Sequence, residues 1–277
     1  MRQWFIGALE GLLKSLKLLR ERVNDWDAYP FSVPAIRNLN SIEFHSHICF
    51  FVGENGTGKS TLLEAIAAHY GFGREGGNRN FRNNSTESNS SIDPLMRALR
   101  LSFDKRTGHG FFLRAESLFN SATYVDEIGA QQSYGGRSLH AQSHGESFLA
   151  LLDVRFRQNG LFVLDEPEAA LSPQRQLGFL VLLHEATAAH KEAQFIISTH
   201  SPILLGFPTA QILSFDGGDI HPVEYEQIPA VQISKRFLVD RQKFLSRLLQ
   251  EEPSLLFETK PLATSKPRKP SRISGKK

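Results

Sequence analysis

The sequence predicts an α/β fold, a mainly parallel β-sheet with helices on both faces, and three observations carry that prediction. The runs at 48–52 (Ile-Cys-Phe-Phe-Val), 161–164 (Leu-Phe-Val-Leu) and 195–199 (Phe-Ile-Ile-Ser-Thr) are almost wholly apolar, as strands covered on both faces must be. Helical segments separate them, which is the alternation that parallel strands require. The first run leads directly into Gly53-Glu54-Asn55-Gly56-Thr57-Gly58-Lys59-Ser60-Thr61, a glycine-rich turn that opens a helix.

Taken in order, residues 1–24 read as an amphipathic helix, with Phe5, Leu9, Leu12, Leu16, Leu19 and Val23 spaced by three and four. Residues 1–28 therefore form an N-terminal helical segment whose apolar stripe docks on the protein's own core, a partner helix or a membrane surface. Short strands follow at 29–33 and 42–44, before the run at 48–52. The helix opened at Lys59 ends near Tyr70-Gly71. Residues 71–92 are rich in Gly, Asn and Ser and carry Arg74, Arg79 and Arg82, a composition suited to a surface loop. A helix at 93–101, a strand at 111–113 and a helix from 146 to about 157 come next, with a polar stretch at 129–145. Pro173 starts a helix that runs to 190. Residues 212–215 and 223–225 read as late strands around the turn Asp216-Gly217-Gly218-Asp219, and a helical segment with Phe237, Leu238, Phe244, Leu245 and Leu248 closes a domain at 29–250. Residues 251–277, dominated towards the end by Pro, Ser, Lys and Arg, read as a disordered basic tail.

Composition bounds the function classes. The 277 residues carry a formal charge of +3, but residues 260–277 hold seven Lys/Arg and no Asp or Glu, so the preceding 259 residues carry −4. The basic balance belongs to the tail and is no sign of a nucleic-acid-binding body. The single cysteine, Cys49, excludes an intramolecular disulfide and suits a cytoplasmic protein. No apolar stretch reaches the roughly 20 residues of a membrane span, and Glu10 interrupts what would be a signal peptide's apolar region.

The chemistry is concentrated in four places. Residues 53–61 fit the pattern GxxxxGK[ST]. Its glycines let successive N–H groups point at one phosphate cluster, the helix start adds its dipole, Lys59 supplies a point charge for the outer phosphates, and Ser60 a hydroxyl for Mg²⁺. This chain is expected to bind a nucleoside triphosphate. Asp165 and Glu166 follow the apolar run at 161–164, at the strand end where α/β sheets keep their ligand crevice, so Asp165 is placed to hold Mg²⁺ and Glu166 to act as general base. His200, 34 residues beyond Glu166, ends the third apolar run and can sense a γ-phosphate. Finally, Ser143-His144-Gly145-Glu146 opens a second anion-binding helix start, with the Ser143 hydroxyl and the N–H groups around Gly145 as its candidate contacts. One triphosphate does not need two such sites, so the second one makes sense facing the nucleotide of another copy.

These motifs, in this order, resemble those of the ATP-binding-cassette (ABC) class of ATPases. Residues 53–61 are similar to Walker A, 143–146 to a variant of the LSGGQ signature, 161–166 to Walker B, 170–172 (Ala-Leu-Ser) to the D-loop, and His200 to the switch histidine. The wording at 165–173 and 198–202 is nearest the stand-alone bacterial ATPases related to the RecF, OLD and SMC proteins. The resemblance implies a P-loop NTPase fold with a mainly parallel sheet flanked by helices and an antiparallel β subdomain, ATP and Mg²⁺ as cofactors, and an ATP-dependent head-to-tail homodimer with the signature acting in trans. Departures are plain: Gln142 and His144 replace the Leu and first Gly of the signature, and Arg114, with Glu116 nearby, falls where transporter subunits carry the Q-loop glutamine. Tyr29 and Phe31 are the candidates for an adenine-stacking aromatic. The favoured function is an ATP-hydrolysing dimerisation switch. The alternatives are an ATP-gated DNA- or RNA-associated module in genome maintenance or phage defence, and a transporter ATP-binding subunit; a protein partner also fits.

Overall fold

The computed structural model describes residues 12–73, 91–104, 109–114 and 144–249. Six strands form the main sheet: β3 (Ile48–Val52), β5 (Gly110–Arg114), β6 (Gly160–Asp165), β7 (Ala193–Ser198), β8 (Gln211–Ser214) and β9 (His221–Pro222), in the order β5-β6-β7-β3-β8-β9. All neighbours are parallel except β9, which runs antiparallel to β8 at the edge. A separate antiparallel sheet, order β2-β1-β4, contains β1 (Leu13–Leu18), β2 (Ser41–Glu43) and β4 (Leu99–Phe103). The expected parallel sheet and antiparallel subdomain are therefore both present.

Alternation along the buried strands divides the core in two. Phe50, Leu113, Phe162, Leu164, Phe195 and Ile197 point to one face and pack with Phe148, Leu151, Leu152, Phe179 and Leu183. Those residues come from α4 (His144–Arg155) and α5 (Pro173–Ala189). Cys49, Phe51, Phe112, Val163 and Ile196 point to the other face, against Leu62, Leu63 and Ile66 of α2 (Lys59–Tyr70) and against Leu13, Leu16 and Ile42 of the small sheet. On the first face Phe162 and Phe195 stack at 4.9 Å, and Phe156 meets Phe195 edge-on at 4.8 Å. The two sheets are also tied by a buried amide: Gln194 Oε1 accepts from Leu13 N at 2.9 Å and its Nε2 donates to Leu13 O at 3.0 Å. Gln194 is thus buried with both ends of its amide hydrogen-bonded.

The remaining described helices are α1 (Pro34–Arg37), α3 (Asp93–Ala98), α6 (Pro202–Leu205), α7 (Pro229–Val239) and α8 (Arg241–Leu249). None of the helices among the described residues is long and apolar enough to cross a membrane.

Four expectations are corrected. The helix expected over 1–24 is a strand at 13–18, followed by a 3-10 turn at Arg20–Arg22; residues 1–11 lie outside the described residues. The three-residue spacing of Leu13 and Leu16 arises because the register with β4 shifts between Leu13 and Ser15, and such an extra residue returns two odd-spaced side chains to one face. The strand expected at 29–33 is a turn entering α1: Pro30 and Pro34 have no N–H to give a ladder. The helix expected at 93–101 ends at Ala98, where Leu99 turns extended and pairs with Leu18 of β1. The last strand sits at 221–222 instead of 223–225. The 71–92 loop arginines, most of the 129–145 stretch and the tail 251–277 lie outside the described residues.

Candidate functional site

Parallel strands bring their C-terminal ends to one edge, and the site is assembled there. β3 ends at Val52 and passes into the loop 53–58, β6 ends at Asp165, and β7 ends at Ser198 just before His200. Register places Arg114 beside Asp165, Asp165 beside Ser198 and Ser198 beside Phe51. Residues far apart in sequence meet because the ladder aligns them.

The loop is shaped by glycine where glycine is needed. Gly53 and Gly58 have φ of 139° and 99°, and a side chain on Gly58 would come within 3.0 Å of Val33. Lys59 lies immediately behind, starting α2, and is buried. Its Nζ donates to Gly53 O at 2.6 Å and to Glu54 O at 2.8 Å, so the ammonium holds the loop in a curl around itself. Burial lowers its pKa below the ordinary lysine value, against the pull of Glu166, Asp216, Asp165 and Glu54.

Ser60 donates its hydroxyl to Asp165 Oδ1 at 3.0 Å. A hydroxyl and a carboxylate in contact at the mouth of the loop form an oxygen donor set suited to a hard divalent cation such as Mg²⁺. Among the described residues no group of three or more His, Cys, Asp or Glu side chains could hold a metal alone. Burial raises the pKa of Asp165 above the usual carboxylate value, opposed by the Ser60 hydrogen bond and by Arg114.

Glu166 occupies the left-handed region at φ 49°, ψ 53°, unusual for a residue with a long side chain and a conformation that tends to mark functional sites. Its N–H donates to Ser198 O at 3.0 Å, and its half-exposed carboxylate lies 3.7 Å from His200 Nε2. Lys59, Ser60, Asp165, Glu166 and His200 therefore converge as expected. Gly145 and Glu146 sit at the start of α4. Glu146 pairs with Arg175 Nη2 at 3.0 Å, and the atoms nearest a side chain at Gly145 would belong to Arg175 and Ala170. Ser143 and Glu116 lie outside the described residues.

Four contributors escaped sequence reasoning. Asp216, read only as part of a turn, accepts from Glu54 N at 2.8 Å through Oδ1 and so braces the entrance of the phosphate loop from beyond β8. Glu168 accepts the N–H of His200 at 2.6 Å, and burial raises its pKa above the usual carboxylate value. Glu64, one turn beyond Ser60, takes the guanidinium of Arg114 at 2.7 Å. Arg175 covers Gly145. For Asp216, Glu64 and Arg175 the signal is only spatial, whereas Glu168 stood inside the motif at 165–173 without a role.

The two aromatic candidates separate. Phe31 is buried in the core and meets Trp26 edge-on at 5.8 Å, whereas Tyr29 is 48% exposed and its hydroxyl lies 2.9 Å from Thr61 Oγ1 beside the loop.

Residues 30–163 match a family model described as "AAA domain", and residues 126–206 match a second, described as "AAA domain, putative AbiEii toxin, Type IV TA system". No curated protein matches the sequence significantly. Similar solved structures include the SMC head domain from Thermotoga maritima, 18% identical over 77% of this chain and 99% of that one, with a TM-score of 0.43. They also include cbiO1 from Clostridium perfringens, part of the ABC transporter complex cbiONQ, 17% identical over 79% of this chain and 90% of that one (TM-score 0.41). A third is the ADP conformation of an ATP-binding cassette of an ABC transporter, 16% identical over 76% and 89% of the two chains (TM-score 0.41). The two family matches together run from residue 30 to residue 206, through the phosphate loop, the paired carboxylates and the histidine, so each part of the chain that carries the site is similar to an AAA domain.

Proposed function

We propose that this protein binds ATP with Mg²⁺ at the 53–61 loop and hydrolyses it, and that ATP-driven dimerisation and release make it a switch. The observation that carries the reading is the convergence of Lys59, Ser60, Asp165, Glu166 and His200 at one edge of the parallel sheet. The loop amides of 53–58 and the start of α2 would surround the phosphates, and Lys59 would leave the carbonyls of Gly53 and Glu54 for the outer phosphate oxygens. Ser60 and Asp165 would hold Mg²⁺, which neutralises the charge that develops on the leaving and transferred phosphate oxygens. Glu166, turned outward by its left-handed backbone, would orient the attacking water and accept its proton. His200 would donate to the γ-phosphate and is kept beside Glu166 by the grip of Glu168 on its backbone.

Gly145 and Glu146 stand at the start of a 12-residue helix against Arg175 and Ala170, and the trans role of the signature rests on the likeness of 143–146 to LSGGQ. The test is Glu166→Gln. ATP should then be bound and turned over at least about 100-fold more slowly, within the range that general-base loss spans. Light scattering should show an ATP-dependent dimer of the variant. A variant that stays monomeric with saturating ATP removes the switch, and undiminished turnover removes Glu166 as the base.

A further inference from the structure

Beside the proposed Mg²⁺ site stands a cation that belongs to the protein. Arg114 ends β5 in register with Asp165, and its guanidinium reaches two carboxylates. Nη2 donates to Glu64 Oε2 at 2.7 Å, and Nε lies 3.7 Å from Asp165 Oδ2. The other carboxylate oxygen, Oδ1, takes the Ser60 hydroxyl. Both oxygens of Asp165 are thus engaged, one by the residue that would share Mg²⁺ and one by a positive charge. These side chains are largely withdrawn from solvent, at 31% exposure for Arg114, 16% for Glu64 and 11% for Asp165, so water screens the charges weakly. Glu64 lies four residues after Ser60 on α2, on the same side of the helix, and the three elements α2, β5 and β6 close around the guanidinium.

We propose that Arg114 is a built-in counter-cation of the metal site: it competes with Mg²⁺ for Asp165, and Glu64 draws it away, so metal occupancy and the position of Arg114 are coupled. The inference rests on the reading of 53–61, Ser60 and Asp165 as an ATP·Mg²⁺ site. Arg114 is already bonded to Glu64, and with the metal bound repulsion would move its Nε farther from Asp165 and leave Glu64 as its one carboxylate partner of the two. Arg114 acts through Asp165 and is a positioning residue; it needs no contact with the reacting atoms. An ordinary structural ion pair would not make the Mg²⁺ requirement depend on it.

The experiment is a Mg²⁺ titration of fluorescent-ATP binding at fixed nucleotide, in the Glu166→Gln background so that no hydrolysis intervenes, with thermal unfolding as a check on folding. Arg114→Gln should lower the half-saturating Mg²⁺ concentration about threefold or more, because one positive charge beside the metal is gone. Arg114→Lys, which keeps the charge, should stay within about twofold of the parent. Glu64→Gln releases the guanidinium onto Asp165 and should raise the Mg²⁺ requirement about threefold or more. The double variant should behave like Arg114→Gln, since Glu64 acts through the arginine. A midpoint that is unmoved or raised by Arg114→Gln overturns the inference while leaving the ATP site intact. If Arg114→Gln does not fold, a Glu64→Gln midpoint equal to the parent's overturns it equally. Absence of nucleotide binding by the parent at any Mg²⁺ concentration removes the site reading, and this inference with it.

Discussion

Glu168 offers the sharpest test of how the site is held together. Its Oε1 accepts the backbone N–H of His200 at 2.6 Å, and both residues are partly buried. Glu168→Ala would leave that N–H without a partner, a loss that costs about 1–3 kcal/mol of folding stability. Because His200 would no longer be fixed beside Glu166, kcat should fall about tenfold or more, as small misplacements of catalytic groups do. Glu168→Gln keeps an acceptor oxygen and should retain kcat within about threefold. The acidity adds a signed prediction. Burial raises the pKa of Glu168 above its ordinary 4.5, so the folded protein holds this proton more tightly than the unfolded chain. The stability contributed by that proton is fully present below about 4.5 and is lost as pH rises through the folded value. Glu168→Gln is neutral throughout, so it should be more stable than the parent at neutral pH, the gap closing as pH falls towards 4.5. Urea unfolding across pH 4 to 8 and steady-state ATP hydrolysis measure both effects. Full activity in Glu168→Ala refutes the positioning role, and a parent that gains stability over Glu168→Gln as pH rises refutes the assignment of a raised pKa.

Tyr29→Ala should weaken ATP binding by about 1–3 kcal/mol in fluorescence titration, the worth of one base–aromatic stack, whereas Tyr29→Phe should lose much less; equal affinities would exclude Tyr29 as the stacking residue. Gly110→Ala should abolish soluble folded protein, because φ is 142° there and the added carbon would lie 2.0 Å from Leu161 O, a backbone atom that cannot step aside; a cooperative unfolding transition near that of the parent would contradict the packing. Phe162→Ala, at the centre of the stack with Phe195, should cost about 3–5 kcal/mol in denaturant unfolding, with nucleotide affinity preserved in the protein that remains folded.

The main sheet was legible because its strands are buried on both faces and read as apolar runs, and the phosphate loop was legible because its chemistry demands glycines at fixed spacing before Lys59 and Ser60. The N-terminal segment misled for a definite reason. A register shift between Leu13 and Ser15 breaks the two-residue alternation of β1 and leaves a spacing that a helix would also produce. Pro30 and Pro34 marked residues 29–33 as unsuited to a strand, and that signal outranked the aromatic residues around it. In α3 and β4, side-chain periodicity could not place the boundary, because Leu99 is decided by its partner Leu18 in β1, 81 positions away.

By itself the sequence determined the vocabulary of the proposed site: a loop that can wrap phosphates, a hydroxyl and a carboxylate suited to a hard cation, a second carboxylate and a histidine. These depend on local residue types at local spacings, and a linear chain displays them directly. Only the tertiary structure decided which groups stand around that vocabulary. Asp216 braces the loop across 162 positions, Arg114 enters from β5, and Glu168 takes the N–H of His200. Such contacts follow from strand order and register, which depend on packing energies between segments remote in sequence, and no local pattern encodes them.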